Sequence, residues 1–135
     1  MKTAAAFLLL LLFQQAPAIP KYNATGEWGL DTGTRFNLQL TGSTIKVQLS
    51  EGSNPRYLKY EVTLQNQEEV NTYKGSGYFV AKLQNGKECK FDTDWQFIVV
   101  NPDRIIGSAS AITPDEDTCE VKSKTPAGLD MKRIK

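Results

Sequence analysis

Apolar and polar residues alternate one by one along most of the chain, and this period-two pattern constrains the fold more than any other feature. The alternation is clear in the segments 35–41, 44–50 and 57–64. Successive side chains of a strand point to opposite faces, so the pattern is typical of strands with one buried and one solvated face. No segment after residue 18 has a long helical period. The sequence therefore predicts an all-β domain.

The spacing of these segments predicts how the strands connect. We expect eight to ten strands, joined mostly by short turns, which favours an antiparallel up-and-down meander. An open meander has two exposed edges, and closing the sheet removes them. A small barrel is therefore the predicted architecture, with a β-sandwich as the alternative. The segments 119–121 and 127–134 are expected to form two separate strands at the end of the chain.

The first clear turn is Gly42-Ser43, which suits a two-residue type II′ hairpin with glycine at the first central position. That turn pairs Leu40 with Ile45. The apolar residues of both strands then share one face.

The second turn contains Asn85-Gly86, and its length decides which faces meet. A two-residue loop would set apolar residues opposite charged ones, because a slip of one residue moves every side chain to the other face. A three-residue loop beginning at Gln84 places Gly86 in the left-handed position of a G1 bulge. It also pairs Phe79 with Phe91, so we predict the three-residue loop.

Pro102-Asp103 predicts the turn of the next hairpin. The strand before this turn has apolar residues on both faces, so we expect it to be covered on both sides. One face carries Trp95, Phe97 and Val99, and the other carries Ile98 and Val100.

The N-terminus has the pattern of a secretory signal peptide. Lys2 precedes an apolar run over residues 4–13, and the small residues Ala16 and Ala18 follow it. The run is shorter than the about 20 residues that span a bilayer. We expect residues 1–18 to be removed, which leaves residues 19–135 as one secreted or periplasmic domain with no membrane span.

The cysteines are Cys89 and Cys119, both in the exported part. An even number of cysteines outside the cytosol is typical of a disulfide, and two separate buried thiols are the alternative. A metal site is disfavoured because the chain has no histidine to complete one.

Charge excludes two classes of partner. Without Lys2 the 16 basic side chains become 15 and balance the 15 acidic ones, and no basic block is present. Nucleic acid and an electrostatic membrane contact are therefore not expected.

The absence of histidine also argues against an enzyme, because it removes the usual base and every Ser-His or Cys-His nucleophile. Asp92 and Asp94 could share a strand face as a pair of catalytic acids, but we expect them on a solvated surface. Residues 115–117 form an acidic turn without the ligand spacing of a calcium loop. We predict a protein with no enzymatic activity, no metal and no cofactor.

The two ends of the domain resemble those of the calycin barrels, which include lipocalins, fatty-acid-binding proteins and avidins. The first predicted strand carries Gly26 and Trp28 as a Gly-x-Trp sequence, and the last carries the basic Arg133. The resemblance implies that Trp28 packs against Arg133 where the barrel closes. A stacked guanidinium adds about 0.5–2 kcal/mol.

Two functions remain open. The first is a carrier of a small apolar molecule held in the barrel. The inward residues would line that site: Phe36, Leu38, Val47, Tyr60, Val62, Phe79, Phe97 and Met131. The second is a module that binds an extracellular protein, such as an enzyme inhibitor, through the loops 50–56 and 65–72. Asn23 begins an Asn-Ala-Thr sequon and is a candidate glycosylation site.

Overall fold

The computed structural model describes residues 18–134. The predicted signal segment lies outside this range except for Ala18. The described chain is all-β and has eight strands. Their bounds are β1 Gly26–Gly29, β2 Arg35–Thr41, β3 Thr44–Leu49, β4 Tyr57–Asn66, β5 Thr72–Lys82, β6 Glu88–Asn101, β7 Arg104–Pro114 and β8 Val121–Arg133.

Each strand pairs antiparallel with the next one, and β8 returns to pair with β1, so the sheet is a closed up-and-down barrel. This confirms the predicted meander, and the alternative of a sandwich is not formed. The prediction of two strands at the end of the chain was wrong, because β8 runs through Pro126 without a break. Proline is compatible with a strand that is paired on one side only, and β8 meets β1 only at Lys132 and Arg133.

The two local turns have the predicted registers. Leu40 pairs with Ile45, and Gly42 has a positive φ of 61°. Phe79 pairs with Phe91, and Gly86 has a φ of 86° in the three-residue loop. Each turn is decided by its own glycine, because only glycine adopts these φ values without steric cost.

Two glycines of β5 let the sheet curve tightly enough to close. Gly75 and Gly77 lie opposite Leu64 and Val62 of β4. A Cβ at either glycine would overlap the backbone of β4, at Thr63 or Glu61. The two strands therefore approach each other more closely than any residue with a side chain permits.

The inward residues of all eight strands form one core. The outer face of β6 differs from the prediction. Ile98 and Val100 are 47% and 46% exposed, so β6 is covered on one side only. The expectation of a strand covered on both sides was wrong because no second layer packs outside this part of the described barrel.

Because the strands run alternately up and down, the loops collect at two ends. We call one the closed end; it holds the N-terminal segment 18–25 and the turns at 42–43, 67–71 and 102–103. We call the other the mouth; it holds the loops 30–34, 50–56, 83–87 and 115–120.

Candidate functional site

The closed end is organised around Trp28, which is fully buried. The guanidinium carbon of Arg133 lies 4.5 Å from the centre of the Trp28 ring. On β1 and β8 these two residues are also register partners. The indole Nε1 of Trp28 donates a hydrogen bond of 2.9 Å to the carbonyl of Ala24. The contact that the calycin resemblance implies between Trp28 and Arg133 is therefore present.

The guanidinium of Arg133 also holds backbone carbonyls from two segments. It donates to Thr25 and Asn23 of the N-terminal segment, each at 2.7 Å. It donates to Pro102 of the β6–β7 turn at 2.6 Å. A charged donor strengthens such bonds relative to neutral ones. One side chain therefore ties the segment before β1 and a distant turn to the closed end of the barrel.

Asn71 completes the closed end, and the sequence analysis did not find it. Its amide nitrogen donates to the carbonyl of Pro20 at 2.9 Å, and its side-chain oxygen accepts from the backbone of Tyr22 at 2.8 Å. The carbonyl of Asn71 accepts from Val99. Its φ is 67°, a left-handed conformation that asparagine tolerates better than most residues. No local pattern around Asn71 points to these partners, because they come from remote segments.

All of the predicted ligand-lining residues point inward and are buried, none more than 8% exposed. They pack against one another and against neighbouring rings. Tyr60 stacks on Phe79 at 5.0 Å, and Phe36 meets Tyr60 edge-on at 5.2 Å. The larger recesses around the described residues, of about 270–490 Å³, are lined mostly by outward residues and loops, and of the predicted lining residues Leu38 and Phe97 border them. The structure thus places these residues together as a packed core.

Three polar atoms in this core have no hydrogen-bond partner among residues 18–134. They are the hydroxyls of Tyr73 and Thr93 and the indole nitrogen of Trp95. An unpaired buried polar group costs about 1–3 kcal/mol, so these atoms weaken an otherwise apolar interior.

The mouth has a recess that reaches the core. Beyond the pair of Trp95 and Ala109, β7 no longer pairs with β6 and continues with β8 alone as a two-stranded ribbon. By alternation Ile112 shares the outward side of Ile106, yet it packs against the core. The ribbon therefore rotates as it leaves the barrel wall. The gap that remains is a recess of about 120 Å³ lined by Arg56, Tyr57, Phe79, Ala81, Phe91, Ile112 and Pro114.

The recess shares only Phe79 with the predicted lining. Tyr60 lies directly beneath it, stacked on Phe79 and edge-on to Tyr57 at 5.5 Å. Burial, with a smaller contribution from the charge of Tyr57, raises the pKa of Tyr60 far above its usual value. The Tyr60 hydroxyl consequently stays protonated at every physiological pH. The recess thus lies above a neutral aromatic floor.

The β7–β8 loop, residues 115–120, follows Pro114 of the recess lining and is fastened to the neighbouring loops. Glu116 contacts Arg56 at 3.5 Å and accepts from the backbone nitrogen of Gln84 at 3.2 Å. A disulfide joins Cys119 to Cys89 at the start of β6, with 5.7 Å between the Cα atoms. The predicted pairing of the cysteines is therefore present, and it staples a ribbon that would be marginal alone.

Within this loop Asp115 forms a tight turn. Its carboxylate accepts from the backbone nitrogens of Asp117 at 2.9 Å and Thr118 at 3.1 Å. These bonds stabilise the charged form and lower the pKa of Asp115. Among residues 18–134 no group of acidic, cysteine or histidine side chains is placed to hold a metal ion.

Asp92 and Asp94 lie exposed on the outside of the barrel. Asp94 pairs with Lys124 at 2.9 Å rather than with the other acid. Asn23 is also exposed, and its side-chain oxygen accepts from the nitrogen of Thr25. The sequon therefore lies on the surface of the closed end.

The outer wall carries an apolar patch that we define as Ile98, Val100 and Ile106. Ile98 and Ile106 are register partners on β6 and β7. All three side chains are at least 40% exposed. Contiguous apolar patches of more than a few hundred Å² mark interaction surfaces, and these three residues could form part of one.

No family model, curated protein or solved structure matches this chain. Within the described part of the chain, no helix is long and apolar enough to cross a bilayer.

Proposed function

We propose that this chain is a secreted binding protein that takes a compact ligand at its mouth rather than a long apolar molecule inside its barrel. The observation that carries the proposal is the recess among Tyr57, Phe91 and Ile112. It joins solvent to an interior that is otherwise filled by packed side chains. The disulfide supports the extracellular assignment, because such bonds persist in oxidising compartments.

The walls of the recess suit this task. Aromatic rings give a ligand large contact areas at little cost in conformational entropy. The floor is built from strands of a closed barrel, so it needs no rearrangement before binding. A recess of this size accepts only a small molecule, since drug-sized ligands occupy about 300–1,000 Å³.

The test is a titration of the mature chain with benzyl alcohol, followed by methyl and aromatic NMR. We expect saturable shifts at Ile112 and Tyr57 and none at Trp28, which lies at the closed end. Ala81→Leu fills the recess and should abolish the shifts, whereas Val80→Leu places a leucine on the opposite face of β5 and should preserve them. Shifts that stay linear in ligand concentration, or that survive Ala81→Leu, would contradict the proposal.

A second candidate function is binding of an extracellular protein at the apolar patch. The exposed pair of Ile98 and Ile106 favours it. A photo-crosslinking residue placed at position 98 should give one product of defined mass in the native secretion, and the same residue at Gln48 on another wall should give none. Equal labelling from both positions would rule out a specific partner at the patch.

A further inference from the structure

We propose that the ligand of the mouth recess is an aromatic acid with a single ring, whose carboxylate displaces Glu116 from Arg56. This inference rests on the proposed function, because it assigns a chemical class to the same site. It is carried by three observations: the volume of the recess, the nature of its walls and the weak engagement of Arg56.

The volume limits the ligand to one ring. The recess holds about 120 Å³. An engineered apolar cavity of about 150 Å³ in another protein binds benzene. A second fused ring or a long alkyl chain would extend out of the recess into solvent, because Phe79 and Phe91 behind it are buried in the core.

The walls favour an aromatic ring over an aliphatic one of equal size. Tyr57 meets Phe79 edge-on at 5.5 Å, and Phe79 lies 5.5 Å from Phe91 at 40°. Phe79 and Phe91 are almost fully buried, so Tyr57 is the ring of this set with the most surface left for a further ring. Edge-to-face and offset contacts between aromatic rings are worth more than the area they bury.

The polar end of the ligand is assigned by Arg56. Arg56 is one of the residues that line the recess, and the lining within the described chain includes no acidic side chain. Its contact with Glu116 is a single one at 3.5 Å between two half-exposed groups. By comparison, Arg104 on the outer wall engages Asp130 through two nitrogens, at 3.0 and 3.3 Å.

Such a contact is easily exchanged. Exposed ion pairs contribute little net stability, so the loss of Glu116 from Arg56 costs a ligand little. Glu116 would keep its hydrogen bond from the backbone of Gln84. A carboxylate that enters with its ring in the recess can engage the planar guanidinium through two nitrogens. Arg56 then exchanges Glu116 for the ligand carboxylate, while the hydrogen bond from Gln84 and the disulfide still hold residues 115–120 in place.

The experiment compares benzoate with benzyl alcohol, which has the same ring without the charge. Binding is followed through Ile112 and Tyr57 shifts on the mature chain at low salt. We expect benzoate to bind about tenfold more tightly, a difference typical of one charged hydrogen-bonded pair. Arg56→Gln should remove this preference, and the matched control Arg104→Gln should keep it. Glu116→Gln, which removes the competing acid, should tighten benzoate binding and leave benzyl alcohol unchanged.

The outcomes separate the two proposals. Equal affinity for both probes, unaffected by Arg56→Gln, would overturn the aromatic acid and leave the mouth as a binding site. No saturable binding of either probe would overturn both. Benzoate shifts that Arg104→Gln reduces as much as Arg56→Gln would mean that the anion binds to the surface at large, and this also overturns the inference. Arg56 is exposed, so its replacement is not expected to disturb folding.

Discussion

Arg133 at the closed end and Arg56 at the mouth are the same residue type in opposite situations. The guanidinium of Arg133 stacks on Trp28 and donates to backbone carbonyls of three residues. Arg56 has one long contact with a half-exposed glutamate side chain. Backbone acceptors cannot turn away, whereas a glutamate can take another rotamer at little cost. The comparison separates an arginine that holds the fold from one that is free to bind.

The same contrast extends to the surrounding chain. The closed end is held by buried aromatic packing and by side chains that reach across more than 100 residues of sequence, as from Arg133 to Asn23. The mouth is held by a covalent bond and a few exposed contacts of residues 115–120. We infer that global stability resides at the closed end, while the mouth can change locally without unfolding the barrel.

The largest effect is expected from Trp28→Ala. Removing a fully buried tryptophan costs about 3–5 kcal/mol and also leaves Arg133 without its ring. Tyr57→Ala at the mouth removes a half-buried ring and should cost less than half as much. Chemical denaturation of both variants measures the difference in the free energy of unfolding. If both variants lose the same free energy of unfolding, the proposed difference in stability between the closed end and the mouth is wrong.

Replacing both cysteines by alanine should give the next largest effect. The crosslink spans 30 residues, and the chain-entropy model assigns about 3–4 kcal/mol to a loop of that length. Hydrogen exchange should accelerate throughout the barrel, because the unfolded chain gains entropy, and should accelerate further in the ribbon of residues 110–114 and 121–128, which also opens locally. Uniform acceleration throughout the barrel would mean that the disulfide supports the whole fold and not the mouth in particular.

Two variants of Asn71 separate the contribution of its side-chain hydrogen bonds at the closed end from that of its backbone conformation. Asn71→Gly keeps the left-handed backbone and loses the two side-chain hydrogen bonds, at about 1–2 kcal/mol. Asn71→Ala loses the bonds and adds the strain of a φ of 67°, which should cost about 1–2 kcal/mol more. Thermal denaturation distinguishes them. If Asn71→Ala and Asn71→Gly lower the melting temperature equally, the left-handed backbone conformation at position 71 contributes nothing to stability.

The smallest effect is expected from pH at the mouth. The folded pKa of Asp115 is lowered by its backbone hydrogen bonds, so its contribution is present above the unfolded pKa and is lost as pH falls through the folded value. Acidification below pH of about 4 should therefore loosen residues 115–120 first. The contact between Trp28 and Arg133 should persist, because it involves no carboxylate that could be protonated. NMR shifts of Thr118 and Trp28 follow the two ends. Asp115→Asn should remove much of the change at Thr118.

Much of the fold could be predicted because it depends on local pattern. Alternation identified the inward face of β2 to β6, and the glycines at 42 and 86 set two registers. The disulfide followed from cysteine count and compartment. Trp28 and Arg133 came from the resemblance to the calycins and not from local pattern, since β1 and β8 lie at opposite ends of the chain.

The candidate site could be predicted only in part. Phe79 was expected to line it, but Arg56, Tyr57 and Ile112 were not. Ile112 lies on the outward side by alternation and turns inward only because β7 separates from β6. The same limit explains Ile98, whose apolar character predicted a covering layer that is absent among the described residues 18–134.

By itself, the sequence determined which side chains point together, since the period of a strand and the φ of a turn glycine are properties of a few adjacent residues. Only the tertiary structure decided how far apart the strands on opposite sides of the barrel lie and where the pairing of β6 with β7 ends. Those distances depend on the closure of all eight strands at once, on the close approach at Gly75 and Gly77 and on the rotation of the ribbon beyond Ala109. For that physical reason the core was predictable residue by residue, while the mouth and its weakly paired Arg56 emerged only from the folded barrel.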